Sequence, residues 1–172
     1  DWQLIAALAE RRPEWHWVLI GPTAKVTTDE LPQAPNIHYL GQQAYRDLPS
    51  FLKGFDIATM PFALNEATRF ISPTKTLEYL AGGKPVISSP VPDVVAFYHE
   101  VVRIADGADQ WEAGIAGLLS EPDVVREVRR KRMLPLLEAQ SWEAIAQRMW
   151  ELMEGATRAT GDTTASTAPA RS

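Results

Sequence analysis

The stretch SPTKTLEYLAGGKPVISS, Ser72 to Ser89, constrains this chain more than any other. Ser72 is a good N-cap residue, Pro73 is pre-set for a first helical position, and Gly82-Gly83 supplies a left-handed stop. Residues 73 to 81 therefore read as a short helix. A strand, Pro85 to Ser88, follows at once. Leu77, Leu80 and Ala81 share one helix face at i, i+3, i+4 and need a sheet to pack on. The helix start is the chemically interesting end. Its unpaired N–H groups, taken over residues 73 to 75, and the positive end of the dipole form a ready anion site, to which Lys75 adds a full charge. Ser72, Pro73, Thr74 and Lys75 are thus phosphate-binding candidates. Glu78 lies four residues past Thr74, roughly 6 Å further along the axis with its side chain tilted back, within reach of a ribose carried on that phosphate.

The remaining chain supplies a layered frame for this helix. Leu4, Ile5 and Leu8 mark an apolar helix face that Pro13 ends. Trp15 to Ile20 reads as a buried strand closed by Gly21-Pro22. That dipeptide is a turn, and it is also a place where backbone can approach a ligand, as the carboxyl ends of strands do in open α/β sheets. Residues 23 to 35 read as a loop, and residues 36 to 41 as a short strand ending in Gly41. Leu48 to Lys53 fits a short helix that buries Phe51 and Leu52, with Pro49 in its first turn. Asp56 to Met60 is the next buried strand, broken by Pro61. The loop Phe62 to Ile71 then carries Asn65, Glu66, Thr68 and Arg69 between apolar anchors. A polar cluster between a strand end and an anion-binding helix start is where a ligand sits, or else it is a solvated loop.

Beyond Ser89, residues 90 to 93 form a turn, Val94 to Tyr98 an apolar patch of open type, and residues 101 to 104 the last strand. Asp109 is expected to cap a helix through Leu119, with Trp111, Ile115 and Leu118 on one stripe. The helix over 122 to 139 carries Arg126, Arg129, Arg130, Lys131 and Arg132. Glu121, Asp123, Glu127 and Glu138 surround this run, which favours a solvated face over a lipid-binding patch. Ser141 opens a final helix whose Ile145, Met149, Leu152 and Met153 are core or an interface left bare. Residues 156 to 172 contain no Val, Ile, Leu, Met or aromatic residue and are expected to be disordered. Helices alternating with short buried strands indicate an α/β domain with a mostly parallel sheet.

Charge and composition narrow the function. A net charge of -5 argues against a nucleic-acid-binding face, although a local anion pocket remains compatible with it. With no cysteine, thiol nucleophiles, disulfides and cysteine-ligated metals are removed together, and His16, His38 and His99 have no metal-like spacing. No Asp-x-Asp pair suited to a divalent cation is present. No G-x-G-x-x-G follows a strand, which weighs against a dinucleotide oxidoreductase.

The run from Ser72 to Ser89, with the upstream Phe55-Asp56-Ile57-Ala58-Thr59-Met60-Pro61-Phe62, resembles the nucleotide-sugar half of the GT-B glycosyltransferases. It is most similar to the large retaining group-1 family, usually numbered family four, over roughly residues 1 to 155. In that family the second glutamate of a pair binds the donor ribose just before a G-x-P-V-I strand, and Glu78 holds that position. The first position of the pair, eight residues earlier, is Phe70 here, so the carboxylate that contacts the sugar is absent from its usual place.

The resemblance implies a Rossmann-like three-layer domain over residues 1 to 155, the C-terminal half of a GT-B fold with its first strand missing before Asp1. The start at Asp1, inside a helical pattern, is read in the same way, as a record beginning in the middle of a longer protein. The implied reaction is transfer of a sugar from a nucleotide-diphosphate sugar to an acceptor hydroxyl, with retention and without a metal or other cofactor. Gln42 and Gln43 become base-site candidates, because the family's loop after Gly41 meets the nucleotide base. Glu66 or Asn65 is assigned to the sugar hydroxyls in place of the carboxylate lost at Phe70, and Arg69 to the pyrophosphate. Lys75, Glu66 and Arg69 form the catalytic set. The acceptor, a glycan or glycolipid, is expected to bind the missing N-terminal domain, which leaves this piece alone inactive. A cytoplasmic protein is implied, with peripheral contact at the inner face of a membrane left open. Two alternatives remain: a non-catalytic nucleotide-binding or scaffolding domain, and a GT-B-shaped sugar-nucleotide epimerase.

Overall fold

Every strand pairing among the described residues is parallel, and each strand reaches the next through a connection long enough to cross back over a sheet. The computed structural model describes residues 1–23 and 27–162. Its strands are β1 (Trp17–Leu19), β2 (Ile37–Tyr39), β3 (Ala58–Met60), β4 (Val86–Ser88) and β5 (Val102–Ile104). Its helices are α1 (Trp2–Arg11), α2 (Leu48–Gly54), α3 (Lys75–Ala81), α4 (Pro92–Tyr98), α5 (Gly107–Leu119), α6 (Asp123–Ala139) and α7 (Trp142–Asp162). Strands β1 and β2 form one sheet, and β3, β4 and β5 another with β4 in the middle. All three residues of β4 are buried, as a parallel strand covered on both faces requires. The expected α/β fold with parallel strands is therefore the observed one.

The chain divides into two compact units, Asp1–Met133 and Leu134–Ser172. In the first, one core joins both sheets. Leu4, Ile5, Leu8 and Ala9 of α1 pack with Trp17, Ile37, Ile87, Ala105, Trp111 and Ile115. Leu8, Ile87 and Trp111 have no exposed surface, and a fully buried side chain of this size stabilises by about 1.5–3 kcal/mol. The Asp1 carboxylate caps α1 by accepting from Leu4 N at 2.9 Å. At the other end of α1 the buried Asn36 donates through Nδ2 to Ala9 O (3.0 Å), a carbonyl the helix end leaves open, and to Trp15 O (2.8 Å) in the turn before β1. Arg11 reaches Asp109 at 2.6 Å, tying α1 to α5.

Several local expectations give way to packing. Residues 94–98 belong to helix α4, which has Pro92 in its first turn. Asp109 does not cap α5. The helix begins two residues earlier at Gly107, with Asp106 as N-cap residue and the side chain of Gln110 accepting the Asp106 N–H at 3.1 Å. Phe51 and Leu52 are half-buried rather than core. The buried stripe of α3 is Thr76 and Leu80, spaced i, i+4, while Ala81 is exposed. Within the expected loop 23–35, Thr28–Glu30 forms a 3₁₀ turn and Leu31 is buried. Residues 24–26 lie outside the described residues.

In the second unit Ser141 opens α7 as expected, its Oγ accepting from Ala144 N at 3.1 Å. Met149, Leu152 and Met153 on this helix are exposed. Helix α7 runs on to Asp162, so residues 156–162 are helical where disorder was expected, and residues 163–172 lie outside the described residues.

Candidate functional site

The candidate residues sit on loops that leave the carboxyl ends of the parallel strands, where an open α/β sheet presents ligands. After β1 the chain turns at Gly21, whose φ of 146° suits glycine and whose N–H donates to Gly41 O at 2.9 Å. Gly41, at φ 64°, ends β2, so the loops after β1 and β2 are tied together. Pro22 follows on the surface. Gln42 is exposed, whereas Gln43 donates through Nε2 to Leu40 O at 2.7 Å and so braces its own loop. Tyr45 beyond it is 77% exposed.

The loop after β3 is built by a reciprocal turn. Asn65 N donates to Thr68 Oγ1 at 2.9 Å, and Thr68 N donates to Asn65 Oδ1 at 3.1 Å. Thr68 Oγ1 also donates to Ala63 O at 2.7 Å. Asn65 thus spends its side-chain oxygen on bracing the loop itself. Glu66 is exposed on the same turn. The Arg69 guanidinium lies 5.4 Å from the centroid of the Phe70 ring, and Phe70 is 84% exposed.

Helix α3 starts later than its sequence signals indicate. Ser72 is not the cap: Thr76 N donates to Pro73 O at 3.0 Å, closing a turn first, and the helix proper opens at Lys75 with Thr74 in the cap position and no side-chain cap bond. Proline has no amide hydrogen, so Pro73 drops out as an anion donor. The amides of Thr74 and Lys75 are left without an acceptor among the described residues. Buried Thr76 seats the helix on the sheet, its hydroxyl 3.6 Å from Met60 Sδ at the end of β3.

Lys75 Nζ and Glu78 Oε2 are 2.6 Å apart, with their side chains 48% and 40% exposed. The hydrogen bond to Glu78 is the main cause that raises the Lys75 pKa above its ordinary value, so the ammonium stays charged across the physiological range. Tyr79, next along the helix, is held above the usual phenol range by burial. Among the described residues no hydrogen bond or ion pair joins Gly21, Pro22, Gln42 or Gln43 to Glu66, Arg69 or α3. The structure thus pairs Lys75 with Glu78 and holds the other candidates on loops after β1, β2 and β3, in two different sheets.

Sequence reasoning missed Thr76 as the buried anchor of α3, although its spacing from Leu80 carried the signal. Lys84, a cation two residues before β4, donates to Lys53 O (2.8 Å) and Phe55 O (2.6 Å) and is therefore spent closing α2. Among the described residues no group of three or more His, Asp or Glu is placed to hold a metal ion. No described helix is long and apolar enough to cross a membrane.

Comparison with known proteins bears on this arrangement. A solved structure of α,α-trehalose 6-phosphate synthase from Burkholderia multivorans superposes over 99% of this chain and 41% of its own, with a TM-score of 0.66 and 16% identity. The trehalose-6-phosphate enzyme structure from E. coli bound with UDP-2-fluoro glucose aligns over 81% of this chain and 37% of its own, at a TM-score of 0.58 and 16% identity. These likenesses establish the fold, that of GT-B glycosyltransferases. A putative teichuronic acid biosynthesis glycosyltransferase, TuaH of Bacillus subtilis (strain 168), is 30% identical over 95 residues, which are 54% of this chain and 24% of that protein. The chain therefore spans about a quarter of that relative and two fifths of the first structure. The sequence model of the glycosyl transferase-like family matches residues 2–151, and the chain belongs to that family.

Proposed function

We propose that this chain is the donor-binding part of a glycosyltransferase that moves a sugar, with retention, from a nucleotide-diphosphate sugar to an acceptor hydroxyl. The observation that carries the reading is the pairing of Lys75 with Glu78 at the start of α3, beside the carboxyl end of β3, in a chain of glycosyl transferase-like sequence. The UDP-2-fluoro glucose held by the E. coli neighbour supports a nucleotide sugar as donor.

In this reading the bond from the anomeric carbon to the diphosphate oxygen breaks, one to the acceptor oxygen forms and the acceptor hydroxyl's proton passes to the departing diphosphate oxygen, so negative charge grows on the diphosphate as the bond breaks. The amides of Thr74 and Lys75 and the Lys75 ammonium face that charge, fixed before it develops, and Arg69 adds a second cation from the neighbouring loop. Helix α3 is only seven residues long, so its own dipole contributes less than these groups. Glu78 accepts from the ribose hydroxyls once Lys75 turns to the phosphates. Glu66 reads the sugar, and Gly21, Pro22 and Gln42 line the base and ribose side through main-chain contacts. These charges take the place a metal ion would otherwise fill. The acceptor lies against polypeptide outside this chain, which alone binds nucleotide and transfers nothing.

A non-catalytic nucleotide-binding role is favoured by one observation: Phe70, at the position where the resembling enzymes carry a sugar-contacting carboxylate, is an exposed aromatic residue. Two measurements separate the readings. Calorimetric titration of this chain with UDP, GDP, ADP and their sugars tests donor binding, and absence of binding to all of them defeats both. Turnover of labelled donor by the longer protein, with and without acceptor, tests transfer. Binding without turnover identifies the scaffold.

A further inference from the structure

His16 and His38 lie 22 residues apart in the chain, a spacing that gives no sign of a shared ligand. The pairing of β1 with β2 brings them together. Successive side chains of a strand point to opposite faces, and the register partners Trp17 and Ile37 both turn into the core with α1. Val18 and its partner His38 therefore turn to the other face, and His16, directly ahead of β1, turns with them. The two histidines are diagonal neighbours on adjacent strands, their backbones about 8 Å apart. Two imidazoles span that gap. His16 Nδ1 and His38 Nε2 stand 2.9 Å apart, with the ring planes 15° from parallel and the ring centroids at 5.2 Å.

Only one hydrogen fits between two facing ring nitrogens, so one ring donates it and the other accepts it through a lone pair. Among the described residues each ring has the other as its only hydrogen-bond partner. His16 is exposed and His38 half-buried, so the pair meets solvent. The carboxylate two residues before His16, that of Glu14, is held by Arg12 Nε at 2.6 Å and does not compete for the rings. Two imidazole nitrogens facing each other at the surface, one fixed at the start of β1 and the other within β2, have the makings of a bidentate nitrogen chelator.

We propose that His16 Nδ1 and His38 Nε2 together bind one divalent transition-metal ion of the imidazole-preferring class, Cu2+, Ni2+ or Zn2+, which clamps β1 to β2. The ion takes the place of the bridging hydrogen. That proton passes through solvent to the other nitrogen of the same ring, so both imidazoles stay neutral, each offers one lone pair, and no net proton is released. Metal–imidazole bonds run about 2.0–2.1 Å, so two of them drawn to nitrogens 2.9 Å apart meet at about 90°. This is the angle between neighbouring ligands in the square-planar and octahedral sites of Cu2+ and Ni2+, whereas tetrahedral Zn2+ needs a separation nearer about 3.4 Å. Cu2+ should bind most tightly, followed by Ni2+ and then Zn2+. Both rings lie outside the core and turn to aim their lone pairs at one point. No third His, Asp or Glu among the described residues joins them, so water fills the other positions and the ion exchanges freely. Strands β1 and β2 form a sheet of only two strands among the described residues, where a cross-link adds most. The proposal goes beyond the sugar-transfer reading and uses no residue of the candidate site.

Calorimetric titration of the untagged chain with Ni2+, in a buffer that does not bind metal, is the test. One ion per chain should bind, and His16→Ala and His38→Ala, checked for folding by circular dichroism, should each weaken binding at least tenfold. His99→Ala is the control: His99 Nδ1 bonds to Val95 O, and its loss should leave Ni2+ affinity unchanged. Mg2+, which takes oxygen donors, should not bind. At a hundredfold excess of Ni2+ over its Kd the melting temperature should rise by about 5 °C or more, and the rise should vanish in His16→Ala. A readout on the unaltered chain needs no variant: substoichiometric Cu2+ should broaden the NMR amide signals of residues 16–18 and 37–39 before any others. No saturable binding up to millimolar Ni2+ overturns the proposal. So does affinity retained in both His16→Ala and His38→Ala, or Cu2+ broadening centred on another part of the chain.

Discussion

Lys75 and Glu78 hold one another at 2.6 Å on the exposed face of α3, so the two charges that the proposed function assigns to a nucleotide diphosphate are paired with each other in this structure. An exposed pair at i, i+3 contributes about 0 to 1 kcal/mol to stability. Glu78→Gln should therefore leave the melting temperature nearly unchanged. Charge-assisted hydrogen bonds to ribose hydroxyls are worth about 1.5–3 kcal/mol, so nucleotide affinity should fall roughly tenfold or more. Calorimetry with the preferred nucleotide decides, and unchanged affinity in a folded variant would reduce the pair to a surface salt bridge.

Asn36 is predicted to be a structural keystone despite its polarity. Its amide serves carbonyls at the end of α1 and in the turn before β1 while only 5% exposed. Asn36→Ala leaves those carbonyls buried and unsatisfied, at about 1–3 kcal/mol for each group lost. Chemical denaturation should show a loss of about 2–4 kcal/mol with an unchanged denaturant slope. A loss below about 0.5 kcal/mol, the range of ordinary surface changes, would mean that water replaces the side chain.

Arg129 and Glu121 form an ion pair whose side chains are only 11% and 13% exposed, between the end of α5 and the second turn of α6. Removing one partner strands the other charge in a poorly solvated position. Arg129→Ala should cost about 1.5–3 kcal/mol. Arg130→Ala, which breaks an exposed pair with Glu127 at 3.8 Å, should cost no more than about 1 kcal/mol. Equal losses for the two variants would contradict the difference in burial.

Alkaline pH should destabilise the protein through its buried phenols. Burial is the leading cause that raises the pKa of Tyr39, Tyr79 and Tyr98, and Tyr39 also donates to Pro32 O at 2.8 Å. The unfolded phenols ionise near pH 10, about their ordinary value, while the folded ones hold their protons longer. The unfolded state then binds fewer protons, so stability is intact below about pH 10 and declines as pH rises through the folded values. Melting curves taken between pH 8 and pH 11.5 should show this decline. It should lessen in Tyr79→Phe, and an identical profile in that variant would remove Tyr79 from the account.

Much of the fold was legible in the chain because its signals are local. The apolar spacing of Leu4, Ile5 and Leu8, the buried runs that contain the five strands, and the Gly82-Gly83 stop each act within a few residues, and each has its counterpart in the structure. Glu78, the residue singled out from the helix pattern, lies on an accessible face of α3 as expected. What the sequence could not determine depends on partners distant along the chain. Ser72 and Pro73 look like a helix start, yet Pro73 O closes a turn with Thr76 because buried Thr76 must reach Met60 on β3. Asn36 reads as a strand-edge polar residue until α1 ends above it. Lys84 reads as a free cation until the end of α2 arrives at its ammonium. Propensity and period act within a helical turn or a strand, whereas hydrogen-bond satisfaction and packing are settled only where distant segments meet.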